Sequence, residues 1–220
     1  FYVQMAPPSF KDYLPRFTYV HDAIRRGDSF LVNLSQPTPL RTNLDLLTIF
    51  EHSQAPYRLW MRERLVCFSP ERFVSIADGH IASFPMKGTC DASLPLIRND
   101  LSRVSNKVWV ARYRYLDRLA TSSKTLLQVS SEIVGQLAPY YQNQLGDLLL
   151  DLLPAGSISG APKPRTLQII QEAEGYERGY YTGVMGYYDG LRLESAVMIR
   201  YIEQQPEGLV FKSGGGITFR

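Results

Sequence analysis

Asp78-Gly79 stands between two half-apolar runs in the stretch YRLWMRERLVCFSPERFVSIADGHIASFPM. Glycine tolerates the positive φ that a tight two-residue turn demands, so this pair predicts a β-hairpin. Glu71, just after Pro70, precedes the hairpin, and Lys87, just before Gly88, follows it. A hairpin brings its two ends together. These side chains are therefore either a solvated ion pair near two turns or two groups delivered to one site.

The rest of the chain organises around this strand-rich region. Before it, FKDYLPRFTYVHDAIRRGDSFLVNLSQPTPL reads as a helix followed by a strand. Phe17, Val20, Ala23 and Ile24 keep helical spacing, Gly27 is a stop signal, and Phe30, Val32 and Leu34 alternate. The segment from about Leu96 to Leu152 is expected to be mostly helical, ending in LGDLLLDLL before Pro154. PAGSISGAPKPRTLQIIQEAE then forms a loop and a helix, with Pro162 at an early helical position and Ser159 as a nearby cap. The tail reads as a meander with turns at Asp189-Gly190 and Pro206-Glu207-Gly208. Two strand-rich regions separated by helices predict an α+β fold. One domain over residues 1–220 is the simplest organisation, since no repeat, low-complexity tract or linker interrupts the chain.

Composition narrows the function classes. A formal net charge of +3 and no basic run argue against nucleic acid as a partner, although ARYRYLDR interleaves arginine with tyrosine. No apolar run approaches the roughly 20 residues that a membrane helix needs, so no membrane role is expected. Cys67 and Cys90 have no paired spacing. They make neither a disulfide framework nor a zinc cluster, and with no signal peptide recognised a reducing, cytoplasmic setting is the default. His21, His52 and His80 show no metal-ligand spacing.

Three glycine-bearing loops carry more information: MKGT (Met86–Thr89), PAGSISGAPK (Pro154–Lys163) and SGGGIT (Ser213–Thr218). Glycine exposes backbone N–H groups that can converge on an anion, although each loop alone is more often just a tight turn. With Lys163 and Arg200 near in sequence, the loops point to a small acidic ligand. For Lys87 to act as a nucleophile it must lose its proton. At an ordinary pKa of ~10.4 only about one lysine in a few thousand is neutral at pH 7. Burial beside Phe84, Pro85 and Met86 would lower that pKa.

Taken together and in order, RRGDSFLVNLSQ, FSPERF, PMKGT, IRNDLSRV, LLPAGSISGAPKPRTLQIIQEAE, GVMGYYDG, VMIRYI and SGGGIT resemble the chorismate-utilising enzymes. The resemblance covers roughly Ala23 to Thr218, and SGAPK followed by GY and GGGI is its specific part. It implies the family's fold, a four-layered α/β/β/α sandwich of two packed, mainly antiparallel sheets with outer helices. Lysine before Gly-Thr resembles aminodeoxychorismate synthase component I, whereas anthranilate and isochorismate synthases usually carry alanine there.

The resemblance implies a reaction for p-aminobenzoate and folate biosynthesis. Lys87 attacks C2 of chorismate, Glu71 protonates the departing C4 hydroxyl, and ammonia at C4 expels the lysine to give 4-amino-4-deoxychorismate. Gly88 and Thr89 would line the ring pocket, Tyr187 and Arg200 would bind a carboxylate, and Gly214, Gly215 and Gly216 would offer amides. A glutamine amidotransferase subunit, or free ammonia, would supply nitrogen, with Mg2+ as cofactor. The alternatives are anthranilate synthase component I and a degenerate, non-catalytic chorismate-binding protein.

Three departures from the family stand out. Gln128 replaces a histidine. Leu31 stands where isochorismate synthases carry a general-base lysine and amine-using members often carry glutamine. The magnesium-binding glutamates, before RND and after GGGI, are missing, so the junctions near Leu94–Leu96 and Thr218–Phe219 look spliced. The expectation is a longer polypeptide with ligand-gated segments at both places.

Overall fold

A computed structural model describes residues 1–85, 93–120, 125–156 and 160–219. The chain divides into two compact units. One comprises Phe1–Pro70, Ile158–Met185 and Val197–Arg220, and the other Glu71–Ser157 and Gly186–Ala196.

The first unit contains β1 (Val3–Met5), α1 (Phe10–Arg25), β2 (Leu31–Thr42), α2 (Leu46–His52), β3 (Tyr57–Met61) and β4 (Leu65–Ser69). Later chain adds β9 (Gly160–Ala161), α5 (Lys163–Glu174), β12 (Tyr201–Gln205) and β13 (Gly208–Thr218). Its sheet runs β1-β2-β13-β12-β4-β3, with β9 beside β2, and every pairing is antiparallel. Ser9 caps α1 through its hydroxyl, and Gly27 follows the helix at φ 83°, as its sequence predicts. The helical spacing of Val20, Ala23 and Ile24 lets α1 pack with Ile169, Ile170 and Ala173 of α5 against Val32, Leu34 and Ile217 of the sheet. The register partners Val66 and Ile202 pack with Leu46 of α2. Their neighbours Cys67 and Tyr201, also partners, face the other side and cluster with Tyr181 and Met198. That alternation is the strand period of two.

The second unit holds β5 (Arg72–Ala77), β6 (His80–Ser83), α3 (Ser93–Ser102), β7 (Lys107–Ala120), β8 (Thr125–Gln136), α4 (Leu145–Leu152), β10 (Val184–Tyr188) and β11 (Leu193–Val197). The bounds of β10 and β11 extend slightly beyond this unit. The sheet order is β10-β11-β5-β6-β8-β7. Leu101 of α3 and Leu148 and Leu152 of α4 pack on Val74, Ile76, Ile81 and Ile133. The predicted hairpin is β5–β6, with Asp78 at φ 51° and Gly79 at φ 75° forming its turn.

Two expectations are corrected. Lys107–Ala120 and Thr125–Gln136 form the antiparallel strands β7 and β8 rather than helix. Residues Val108, Val110, Val129, Ile133 and Val134 supply β-branched positions, and pairing overrides the helix-forming leucines and arginines between them. ARYRYLDR therefore lies on the edge strand β7. The tail is also not one meander, because β10 and β11 join the second sheet while β12 and β13 join the first. The α+β class stands, with two antiparallel sheets and their helices.

Candidate functional site

The site in the first unit is built along β2. β13 pairs with β2 from Leu31 to Leu40, which sets Gly214 opposite Ser35, Gly215 opposite Leu34 and Gly216 opposite Asn33. On the other edge of β2, β9 pairs Gly160 with Val32 and Ala161 with Leu31. SGAPK and SGGGIT, remote in sequence, thus flank the same two residues. Gly160 has φ 103°, and a Cβ there would sit 1.8 Å from the Leu31 carbonyl oxygen, so only glycine allows this approach.

β12 pairs with β13 only from Gly208 to Lys212, where Tyr201 faces Lys212. Just past that point the chain leaves the ladder at Arg200, and β13 continues into Gly214–Gly216. Among the described residues no strand pairs with that edge of the glycine run. The three glycines are exposed, and Arg200, also exposed, has φ 54°. Its carbonyl accepts from the Phe68 N–H at 3.3 Å. An exposed arginine just before β12, and a glycine edge that no described strand pairs with, are groups suited to a carboxylate.

The three glycines are not equivalent. A Cβ on Gly214 would meet Asn33 Oδ1 at 2.5 Å, Ser35 Cβ at 2.9 Å and the Leu34 carbonyl at 3.0 Å. A Cβ on Gly216 would meet Leu31 Cδ1 at 3.2 Å, whereas one on Gly215 meets nothing within 4 Å.

Between β9 and β1, among the described residues, no strand pairs with the outer edge of β2 at Asn33 and Ser35. Side chains fill the gap. Glu174 Oε1 accepts from the Ser35 N–H at 2.6 Å and the Ser35 hydroxyl at 2.7 Å. Arg178 Nη2 donates to the Asn33 carbonyl at 2.7 Å. The two side chains bind each other at 2.7 Å (Nε–Oε2) and 2.5 Å (Nη2–Oε1). Glu174 is buried, so this pairing is what makes its charge tolerable. Lys212, also buried, sits 2.6 Å from Glu203 and donates to the Arg178 carbonyl at 2.9 Å. The sequence reading missed this network. Its one signal was the spacing of Glu174 and Arg178 in EAEGYERG, masked by the helix end at Gly175.

In the second unit Glu71 stands immediately before β5. With Arg72, Ser83, Phe84, Pro85 and Asp100 it lines a cavity of about 40 Å³. The Pro85 carbonyl accepts from the Ser131 N–H at 3.2 Å, which ties the far arm of the hairpin to β8. Lys87, Gly88 and Thr89 lie outside the described residues, as does Ser159. Tyr187, on β10, is 74% exposed and so is not a core residue. Tyr187 and Arg200, expected to share a carboxylate, belong to different units. Leu31 opens β2, and Gln128 lies on β8 opposite Asp117.

Among the described residues no three acidic, histidine or cysteine side chains converge. These residues do not themselves make a magnesium site, and no chemical step is derived through one. No described helix is long and apolar enough to cross a membrane.

The chorismate binding enzyme family matches residues 4–95 and 93–220. The chain belongs to the chorismate-binding enzyme family. The two matched pieces meet at residues 93–95, where the sequence reads as spliced. A Haemophilus influenzae relative, "Uncharacterized PabA-like protein", is 48% identical over 96% of this chain and 71% of its own length. That alignment spans 233 residues while using 96% of a 220-residue chain, about 211, so the relative has internal residues that this family member lacks. Anthranilate synthase component 1 of Acetivibrio thermocellus is 30% identical over 89% of this chain and 46% of its own length. Aminodeoxychorismate synthase component 1 of Salmonella typhimurium is 26% identical over 94% and 52%. The chain thus spans about half the length of these two synthases. The fold matches the crystal structure of anthranilate synthase component I from Streptococcus pneumoniae with a TM-score of 0.83 at 24% identity, covering 99% of this chain and 55% of that one.

Proposed function

We propose that this chain is the chorismate-aminating component of an aminodeoxychorismate synthase. The observation that carries the reading is Lys87 before Gly88-Thr89, joined to Glu71 through the β5–β6 hairpin, in a member of the chorismate-binding family. Lys87 Nζ, neutral, attacks C2 of chorismate, the two conjugated ring double bonds shift, and the C4–O bond breaks. Hydroxide is a poor leaving group, so Glu71 supplies a proton and water departs. Ammonia then forms the bond at C4, both double bonds shift back, and the C2–N bond to Lys87 breaks. Deprotonation of the new ammonium restores the acid, so one ammonia enters and one water leaves.

In this reading Arg200 and the glycine edge of β13 hold a carboxylate of the substrate. Magnesium, as the family resemblance implies, would neutralise the other carboxylate, held by residues other than those described. Ammonia comes from a glutamine amidotransferase partner. The buried free thiol of Cys67 is in keeping with a reducing cytoplasm.

Anthranilate synthase component I is the second reading, supported by the 30% identical relative and opposed by Lys87. Incubation with chorismate, ammonium and magnesium, with the product read by mass spectrometry, separates the two. The proposal predicts 4-amino-4-deoxychorismate and no pyruvate. Anthranilate or isochorismate as the main product overturns it.

A further inference from the structure

We propose that Arg178 is a positioning residue that fixes the conformation of Arg200 through Thr182 and Met198. This rests on the reading of Arg200 as a carboxylate-binding cation. Arg178 does not reach the substrate in this account; it acts on the chain that carries Arg200.

Arg178 is held at both ends. Its guanidinium is anchored by Glu174 and by the Asn33 carbonyl, and its own carbonyl by buried Lys212. From that anchored position Nη1 donates to Thr182 Oγ1 at 3.3 Å. The Thr182 N–H donates to the Met198 carbonyl at 2.8 Å, and the Met198 N–H donates to the Gly183 carbonyl at 2.8 Å. Two residues beyond Met198 lies Arg200.

Thr182 and Arg200 have φ of 65° and 54°, in the left-handed region. For a β-branched threonine this is a true outlier. Such conformations persist only where the surroundings over-determine them, and they gather at ligand-binding places. Here the over-determination is visible. Arg178 holds Thr182, Thr182 and Gly183 hold Met198, and Tyr201, next to Arg200, is fixed in register against Lys212. Arg200 itself is exposed, so its aim is set by this backbone rather than by packing around its side chain.

Arg178→Lys tests the inference. Lysine keeps a positive charge for Glu174 but has no planar fork to reach Asn33 and Thr182 together. With chorismate and ammonium as substrates, the variant should raise KM for chorismate about tenfold and leave kcat within about twofold and the ammonium KM unchanged, since what is lost is substrate binding. Adding Thr182→Gly should recover at least about threefold of that loss, because glycine adopts a positive φ without the steric cost that threonine carries there. A purely structural role gives no such rescue. A folded Arg178→Lys enzyme with the wild-type chorismate KM, or a double variant without recovery, overturns the inference. If the wild-type protein does not turn over chorismate, the functional reading fails and the crystal structure of Arg178→Lys decides instead. Departure of Thr182 and Arg200 from the left-handed region supports the positioning role, and their retention there overturns it.

Discussion

Glu174 and Arg178 together make the hydrogen bonds beside Asn33 and Ser35 that a neighbouring strand would make. The carboxylate accepts the Ser35 N–H that a neighbouring strand's carbonyl would accept, and the guanidinium donates to the Asn33 carbonyl as a neighbouring amide would. β2 is thus satisfied along its outer edge by β9, then by an ion pair, then by β1. Pro37 and Pro39 fit the same edge, since their missing N–H groups leave nothing there to satisfy.

Glu174→Ala removes both the strand surrogate and the partner of Arg178. Removing one member of a buried pair costs about 3–5 kcal/mol. The expected outcome is a lower urea midpoint at unchanged slope, with a loss in that range. A loss below about 1 kcal/mol would show that the pair contributes little beyond a surface salt bridge.

The glycine run separates packing from binding. Gly214→Ala drives a methyl into Asn33, Ser35 and the Leu34 carbonyl and should destabilise by about 1–3 kcal/mol. Gly215→Ala points into open space and should change stability by less than about 0.5 kcal/mol. Thermal unfolding of the two variants checks this, and equal shifts would contradict the register of β2 and β13.

Burial pushes the Cys67 thiol up from its ordinary value of 9.0 to about 12. A raised folded value favours the protonated, folded form. Its contribution to stability is therefore full below about pH 9 and is lost as pH rises towards 12. In a Cys90→Ser background, Cys67 should resist a disulfide exchange reagent at pH 8 until denaturant is added. Rapid labelling of the folded protein would contradict the buried position.

Much of the fold was legible because its signals are local. The positive-φ turn at Asp78-Gly79, the stop at Gly27 and the helical spacing of Val20, Ala23 and Ile24 each depend on a few adjacent residues. The β7–β8 hairpin was not legible, since its leucines and arginines favour helix and only the distant partner strand decides otherwise. Of the site, Arg200 and the glycine run could be named from motifs, but the feature that links them, the end of β12 opposite Lys212, is a register between strands. The Glu174–Arg178 pair was missed for a related reason. It spans a helix end and satisfies a strand 139 residues away in sequence, counted from Ser35 to Glu174.

The most direct test of the account is the mass of the peptide carrying Lys87. The protein is incubated with chorismate and magnesium without ammonium, then digested. The account predicts added mass on that peptide, equal to chorismate less one water, lost on addition of ammonium and absent in Lys87→Ala, which should also lose most turnover. An unmodified peptide, together with a Lys87→Ala enzyme that aminates chorismate at the wild-type rate, would contradict the nucleophilic role of Lys87.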